Sequence, residues 1–283
     1  MKEIKATVTE EFDGTVIRPY LTRALGLSVT LVKRVKFGGV FINGENVHMR
    51  AVVHTGDEVL VRLPEEKSEG IGKIEMPLDI VYEDEYLIAV NKPRGMPTHP
   101  SRGNSLPTLA EGIMAYFADG CFVFRAINRL DRDTGGIVII AKDAYTADKL
   151  SSLMKAGEYL KKYYCITVGV PDPAHGIIDA PIERVCEGDI KRCVRSDGKA
   201  AKTEYRVLKI LPSGNALCEI TLYTGRTHQI RVHMAHIGHP LYADFLYGER
   251  VEGECYRLHA REIAFTHPIS GKQIRLISKC DFE

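Results

Sequence analysis

The stretch Ile127-Asn-Arg-Leu-Asp-Arg-Asp-Thr-Gly-Gly-Ile-Val-Ile-Ile-Ala141 joins two opposite textures. From Ile137 to Ala141 it is continuously apolar behind Gly135 and Gly136, the pattern of a buried strand entered from a tight turn. Just before that run, Arg129, Asp131, Arg132 and Asp133 crowd four charges into five positions. A charged loop pinned to a core strand is a common way to hold a reactive group at the floor of a cleft. The same residues also suit a solvated turn whose aspartates accept bonds from their own backbone. The stretch alone leaves both readings open.

A chain of 283 residues has room for one large domain, or a large one with a small appendage. Apolar residues make up 45% and charged ones 27%, as in ordinary soluble globular proteins. The first residues lack the apolar core of a signal peptide, and no run reaches membrane-spanning length. A cytoplasmic protein with no membrane partner is therefore expected. Cys121, Cys165, Cys186, Cys193, Cys218, Cys255 and Cys280 are scattered and contain no Cys-x-x-Cys pair. Buried reduced thiols are the expectation, in place of a disulfide framework or zinc ribbon. The net charge of +1 argues against a basic coat over the whole surface but leaves room for a local patch.

After a lead-in strand in residues 1–12, Thr15 to about Leu63 reads as a compact unit. Ile17 to Gly26 has helical spacing, and Ser28 suits the N-cap of a second helix reaching about Lys36. Val40 to Glu45 reads as a strand entering an Asn43-Gly44 hairpin turn, and Thr55 to Leu63 as a second alternating strand. Arg18, Arg23, Lys33, Arg34 and Lys36 have no carboxylate among them. Such a cluster can track RNA phosphates, or form a solvated helix face. Residues 66–74 have the composition of a flexible linker. The expected division is 1–65 for the small unit, 66–74 for the linker and 75–283 for the large domain.

In the large domain, Leu78 to Gly95 reads as two apolar strands around an acidic turn, with Lys92 a candidate phosphate contact. Ser105 to Tyr116, stopped by Gly120, and Tyr145 to Ala156 have helical spacing, and Leu160 to Gly169 reads as a strand. Residues 171–202 look loop-rich, and Lys191, Arg192, Arg195, Lys199 and Lys202 there either approach RNA or are merely solvated. Two alternating strands then flank a turn at Pro212, and Arg257 onward reads as a strand followed by a hairpin.

Arg129-Leu-Asp131 followed by Asp133-Thr-Gly-Gly136 resembles the signature of the RluA/RluD family of RNA pseudouridine synthases. That signature usually reads His-Arg-Leu-Asp, two variable residues, then Thr-Ser-Gly; here Asn128 stands in the His position and Gly135 in the Ser position. Asn91-Lys-Pro93 with Gly95 and His99-Pro100 is similar to the family's first motif. Lys161, Tyr163 and Gly169 match its Lys-x-Tyr strand. Gly225-Arg-Thr-His-Gln-Ile-Arg231 with Gly238-His-Pro240, and then Leu258-His-Ala260, resemble its closing blocks. Residues 1–65 resemble an S4 RNA-binding domain, so the resemblance covers nearly the whole chain.

The resemblance implies an α+β fold, a small S4 domain followed by a catalytic domain with a large mixed, mostly antiparallel sheet. It implies isomerisation of uridine in RNA with Asp131 as nucleophile, Arg231 as its ion-pair partner and Tyr163 packed on the target uracil. Arg129 would fill the space left by a flipped base, its planar guanidinium suiting a stack. A buried carboxylate is costly as an anion, which a bidentate arginine offsets. The reaction breaks the C1′–N1 bond, turns the base and rejoins it through C5; it is redox-neutral, and no cofactor or metal is expected. Large-subunit ribosomal RNA is the expected partner, transfer RNA the alternative, and a monomer the expected state. A rival from another class is a catalytically idle RNA-binding protein of ribosome assembly; the joint presence of Asp131, Tyr163 and Arg231 speaks against it. His233, His236 and His239 invite a metal-dependent hydrolase, but Gly238 and Pro240 break the helix that would align them and no fourth ligand is evident.

Overall fold

In the computed structural model, the described residues are 3–64, 70–101, 105–118 and 122–282. Gly120, Cys121 and residues 66–69 of the expected linker lie outside them. Short alternating segments build the N-terminal unit: β1 (Glu3–Thr7), β2 (Thr15–Val16), α1 (Ile17–Arg23), α2 (Val29–Val35), β3 (Val40–Ile42), β4 (Glu45–Asn46), β5 (Val52–Val53) and β6 (Glu58–Arg62). β1-β6-β3-β4 form an antiparallel sheet, and β2 pairs with β5. The Ser28 hydroxyl accepts the Leu31 N–H at 3.1 Å and so caps α2. Asn43 and Gly44 both take positive φ, as the expected two-residue turn requires. Ile17, Leu21, Leu31, Val35 and Val59 fill the core beneath.

The large domain adds β7 (Ile80–Glu83), β8 (Leu87–Lys92), α3 (Leu109–Tyr116), β9 (Gly135–Ala141), α4 (Ala144–Ala156), β10 (Tyr159–Thr167), β11 (His175–Asp179), β12 (Ile182–Arg184), β13 (Arg192–Val194), β14 (Lys202–Ile210), β15 (Ala216–Leu222), α5 (Gln229–His236), β16 (Leu258–Thr266) and β17 (Gln273–Ile277). Its sheet runs β11-β14-β15-β10-β16-β9-β8-β7, with β17 also paired to β16. Every strand pair is antiparallel except β9 beside β16. The sheet is thus mixed and mostly antiparallel, as expected. β9 is buried at every position, which its unbroken apolar run demands.

Four expectations need correction. Residues 171–202 contain β11, on the sheet edge, and the β12–β13 hairpin; their runs are too short and polar to show a clear period. Ile71 packs on the large core, and Lys73 Nζ donates to the Ala118 carbonyl at 2.9 Å, so the tether ends before residue 74. α3 starts at Leu109, later than Ser105, because Thr108 and Glu111 cap its first turn reciprocally. Cys186 is exposed, whereas Cys165, Cys218 and Cys280 are buried thiols.

The two units meet at α4. Asp148 Oδ2 accepts the Ser28 N–H at 2.7 Å, Lys149 Nζ donates to the Leu25 carbonyl at 2.7 Å, and Tyr145 packs on the N-terminal core.

The parallel seam positions the stretch quoted at the outset. Gly135 and Gly136 pair with His259 and Ala260. At Gly136, φ is +109° and a Cβ would stand 2.3 Å from the Ala260 carbonyl oxygen, so only glycine fits. Gly136→Ala is expected to cost about 3 kcal/mol or more through strain and overpacking. Urea unfolding of the variant beside the wild type measures this, and an unshifted midpoint would show that the seam is not tight.

Candidate active site

Asp131 leads into β9 from a loop fastened at several points. Asn128 is buried and acts as a strand partner, donating from Nδ2 to the Ile137 carbonyl at 2.9 Å and accepting the Ile139 N–H at 3.0 Å. The residue in the family's His position is therefore a backbone staple here. Thr98 Oγ1 donates to the Leu130 carbonyl at 2.7 Å, on one side of Asp131. On the other side, Lys92 Nζ donates to the carbonyls of Arg132 (3.1 Å), Met96 (2.6 Å) and Pro93 (2.9 Å). Lys92 is fully buried, which corrects the expectation of a phosphate contact: its amine ties two loops together from inside. Between these anchors the Asp131 side chain stays 32% exposed, open to a ligand.

Arg231 projects from the first turn of α5 into this space. Asp244 holds its guanidinium as a fork, Nε to Oδ2 at 2.7 Å and NH2 to Oδ1 at 2.6 Å, with both side chains buried. The expected bidentate grip on Asp131 is thus corrected: Asp244 takes the fork, and NH1 alone reaches Asp131 Oδ2, at 3.8 Å. Tyr256 and Tyr247 lie under the guanidinium, with ring centroids 4.2 and 4.9 Å from its carbon. Burial opposes the arginine's charge, but the Asp244 bonds and neighbouring groups hold its pKa above the ordinary value. The site thus keeps a fixed cation beside Asp131.

His228 completes the surroundings. The Arg192 N–H donates to the Tyr247 hydroxyl at 2.9 Å, and that hydroxyl shares a hydrogen bond with His228 Nδ1 at 2.8 Å. With the hydroxyl as donor to Nδ1 the ring hydrogen would sit on Nε2, which faces Asp131 Oδ2 at 3.8 Å. Burial chiefly lowers the pKa of His228 and Arg231 adds to this, while Asp131 opposes it. His228 and Ala243, which adjoin Arg231 and Asp244 in the chain, both hold positive φ without being glycine. Such strain collects at functional sites.

Tyr163 lies buried on β10. Burial and then the charge of Asp131 push its phenol well above the ordinary value. It keeps its proton at neutral pH, and so suits a packing surface better than a base. Tyr164, on the other face, is half-buried. Arg129 is exposed and has no ion-pair partner among the described residues. Arg18, Arg23, Lys33, Arg34 and Lys36 are exposed on the N-terminal unit and take no part in the cluster around Asp131. His233 uses both ring nitrogens, on Thr203 and on the Ala180 carbonyl, while His239 bonds the Val168 carbonyl. A different trio, His259, Cys280 and Asp281, brings ligand atoms within 4.8 Å of one another, but Arg94 already pairs with Asp281 there, and its charge disfavours a metal cation.

Sequence reading assigned no role to His228, Asp244, Tyr247 or Tyr256. His228 lay inside a quoted motif and Asp244 follows the Gly238-His-Pro240 block by four residues, whereas the two tyrosines carry no local signal. Gln229, also in the motif, joins α5 to β14 by donating to the Lys202 carbonyl and Thr203 Oγ1, both at 3.0 Å.

Residues 86–236 match the family described as RNA pseudouridylate synthase. An uncharacterised RNA pseudouridine synthase of Bacillus subtilis, YjbO, is 38% identical over 257 residues, covering 89% of this chain and 90% of its own length. Ribosomal large subunit pseudouridine synthase D of Xanthomonas campestris is 33% identical over 258 residues, covering 85% of this chain and 77% of its own. The solved structure of human RNA pseudouridylate synthase domain containing 1 superposes with a TM-score of 0.61 at 26% identity, over 73% of this chain and 85% of that one. The fold is that of an isomerase acting on RNA. The chain belongs to the RNA pseudouridine synthase family.

Two outcomes follow from the geometry. Asp244→Asn strips the fork of its counter-charge and is expected to cost about 3–5 kcal/mol, the penalty for breaking a buried pair. Thermal melting and turnover of the variant test this, and unaltered values would remove Asp244 as the holder of Arg231. Secondly, the unfolded chain binds a proton at His228 more readily than the folded one, so this group's contribution to stability is lost as pH falls below its ordinary 6.5. Tyr247→Phe removes the donor to Nδ1 and should raise the titration of His228, seen in side-chain nitrogen NMR; an unmoved titration would break the proposed chain.

Proposed function

We propose that the protein isomerises uridines of large-subunit ribosomal RNA, with Asp131 as nucleophile. One observation carries the reading: a partly exposed Asp131 carboxylate is fixed by its backbone and faced by the buried cation of Arg231 and by Nε2 of His228. A carboxylate so held is oriented in advance toward a single target atom. Asp131 bonds to the target nucleotide as C1′–N1 breaks and N1 keeps the electron pair; the uracil turns, C1′–C5 forms as the carboxylate is released, and the C5 proton leaves to solvent while N1 takes one up. Tyr163 offers the detached base a ring to pack on. Redox-neutral rearrangement asks these residues to bind, orient and exclude water.

The target base must leave its stack to reach Asp131. Arg129, exposed two residues away and without an ion-pair partner among the described residues, is suited to take the vacated place. The N-terminal unit would hold RNA as an S4 domain does, through Arg18, Arg23, Lys33, Arg34 and Lys36. Support for ribosomal RNA comes from the relatives named ribosomal large subunit pseudouridine synthase D, one of which, from Yersinia pestis, is 35% identical to this chain.

The test is tritium release from RNA labelled at uridine C5, run with ribosomal and transfer RNA in parallel. Wild type is expected to release label from ribosomal RNA, and Asp131→Ala to release none while binding RNA undiminished. Substantial release by the variant would remove Asp131 as nucleophile. Release from transfer RNA alone would move the substrate, and none from either would favour an idle binding protein.

A further inference from the structure

The turn between α2 and β3 carries a ring that the fold has no use for. Phe37 is 84% exposed, more than any other large hydrophobic side chain among the described residues. A single exposed apolar side chain is ordinary on a protein surface, so the ring signifies only together with its support and its surroundings. The turn that carries it is tightly built. Gly38 holds φ at +75°, and Gly39 is locked between strands and helix, donating to the Val35 carbonyl at 3.2 Å and accepting the Arg62 N–H at 2.8 Å. A Cβ on Gly39 would stand 2.9 Å from both the Arg62 and Val35 carbonyl oxygens. The ring is therefore displayed on a rigid support.

Its neighbourhood is cationic. Lys33 and Arg34 form the last turn of α2, and Lys36 Nζ sits 4.8 Å from the centre of the Phe37 ring. No Asp or Glu occurs between Ile17 and Gly44. Arg18, Arg23, Lys33 and Lys36 are exposed with no ion-pair partner among the described residues. An exposed lysine beside an aromatic ring, on a stretch rich in cations and free of carboxylates, matches a nucleotide: phosphates for the charges and a base for the ring. A protein partner would have to bring both an acidic patch and an apolar socket to a single side chain.

We propose that Phe37 is a stacking site for one unpaired RNA base, with Lys36 beside the adjoining phosphate. This rests on the RNA-binding reading of the N-terminal unit and adds to it a preference for RNA with an unstacked base. Duplex RNA offers phosphates but no free base face, so ring and cations separate in experiment. Stacking shifts affinity without releasing counterions, whereas each lysine or arginine contributes to the salt dependence.

The chain contains no tryptophan, so Phe37→Trp introduces a single fluorophore at the site. In the full chain, a mixed-sequence single-stranded oligoribonucleotide should quench this indole, and the same sequence as a complete duplex should leave it bright. Phe37→Ala should weaken single-strand binding about tenfold, with the slope of log affinity against log salt unchanged. Arg23→Ala with Lys33→Ala should flatten that slope. Unmoved emission at saturating single strand, or wild-type affinity in Phe37→Ala, overturns the stacking site. If the charge variant also keeps the wild-type slope, the RNA-binding reading of the whole unit falls with it, and the ring is left for a protein partner.

Discussion

Gly136 approaches the Ala260 backbone more closely than any side chain would permit, and the two halves of the large sheet are joined there. β7, β8 and β9 form one antiparallel set, and β16, β10, β15, β14 and β11 another. Only the contact of β9 with β16 is parallel, and it extends over two residue pairs. The Asp131 loop enters the sheet at that seam. A loop ending in a free strand could shift along its neighbour, but one ending between Ala260 and Lys92 has no slack. Asn128, Thr98 and Lys92 then fix the loop from three directions, all through backbone groups. The position of Asp131 is therefore set by main-chain geometry, while its carboxylate remains open to a ligand.

The second constraint is electrostatic. A guanidinium buried to the extent of Arg231 would be destabilising if it had only a ligand-facing aspartate at 3.8 Å to balance it. Asp244 solves this by taking the fork, and two tyrosine rings cover its faces. NH1 is left over, directed at Asp131, so the cation is already in place before substrate arrives. His228 is tied through the Tyr247 hydroxyl to the Arg192 backbone amide. Both partners of Asp131 are thus preorganised by residues that never touch it, the arrangement that electrostatic catalysis requires.

This division explains what was legible in the sequence. The strand over Ile137–Ala141, the Asn43-Gly44 turn and the Ser28 cap are local rules, and each appears where spacing put it. Asp131, Arg231 and Tyr163 were singled out through motifs, and the fold sets Arg231 and Tyr163 beside Asp131. Asp244, Tyr247 and Tyr256 were missed because their partners are far away in sequence or lie beyond any period. Lys92 was misjudged for a related reason: a lysine beside prolines looks solvated until the three carbonyls that receive its amine are brought together by folding. The β12–β13 hairpin, too short to show alternation, is where Arg192 reaches the histidine chain.

Charge is used in two different ways along the chain. Around Asp131 the cations are buried and paired, and their contribution resists salt because screening by mobile ions barely reaches them. On α1 and α2 they are exposed, where affinity for a polyanion comes from counterion release and fades with salt. An enzyme that must both hold a long RNA and act on one base benefits from keeping these separate. On the proposed reading, loose, salt-sensitive contacts would let many registers be sampled, while the rigid site would accept only a base that can leave its stack. Discrimination would then depend less on the strength of RNA binding than on which uridine can be extruded at low cost, so substrate choice would lie as much in the RNA's local structure as in the protein.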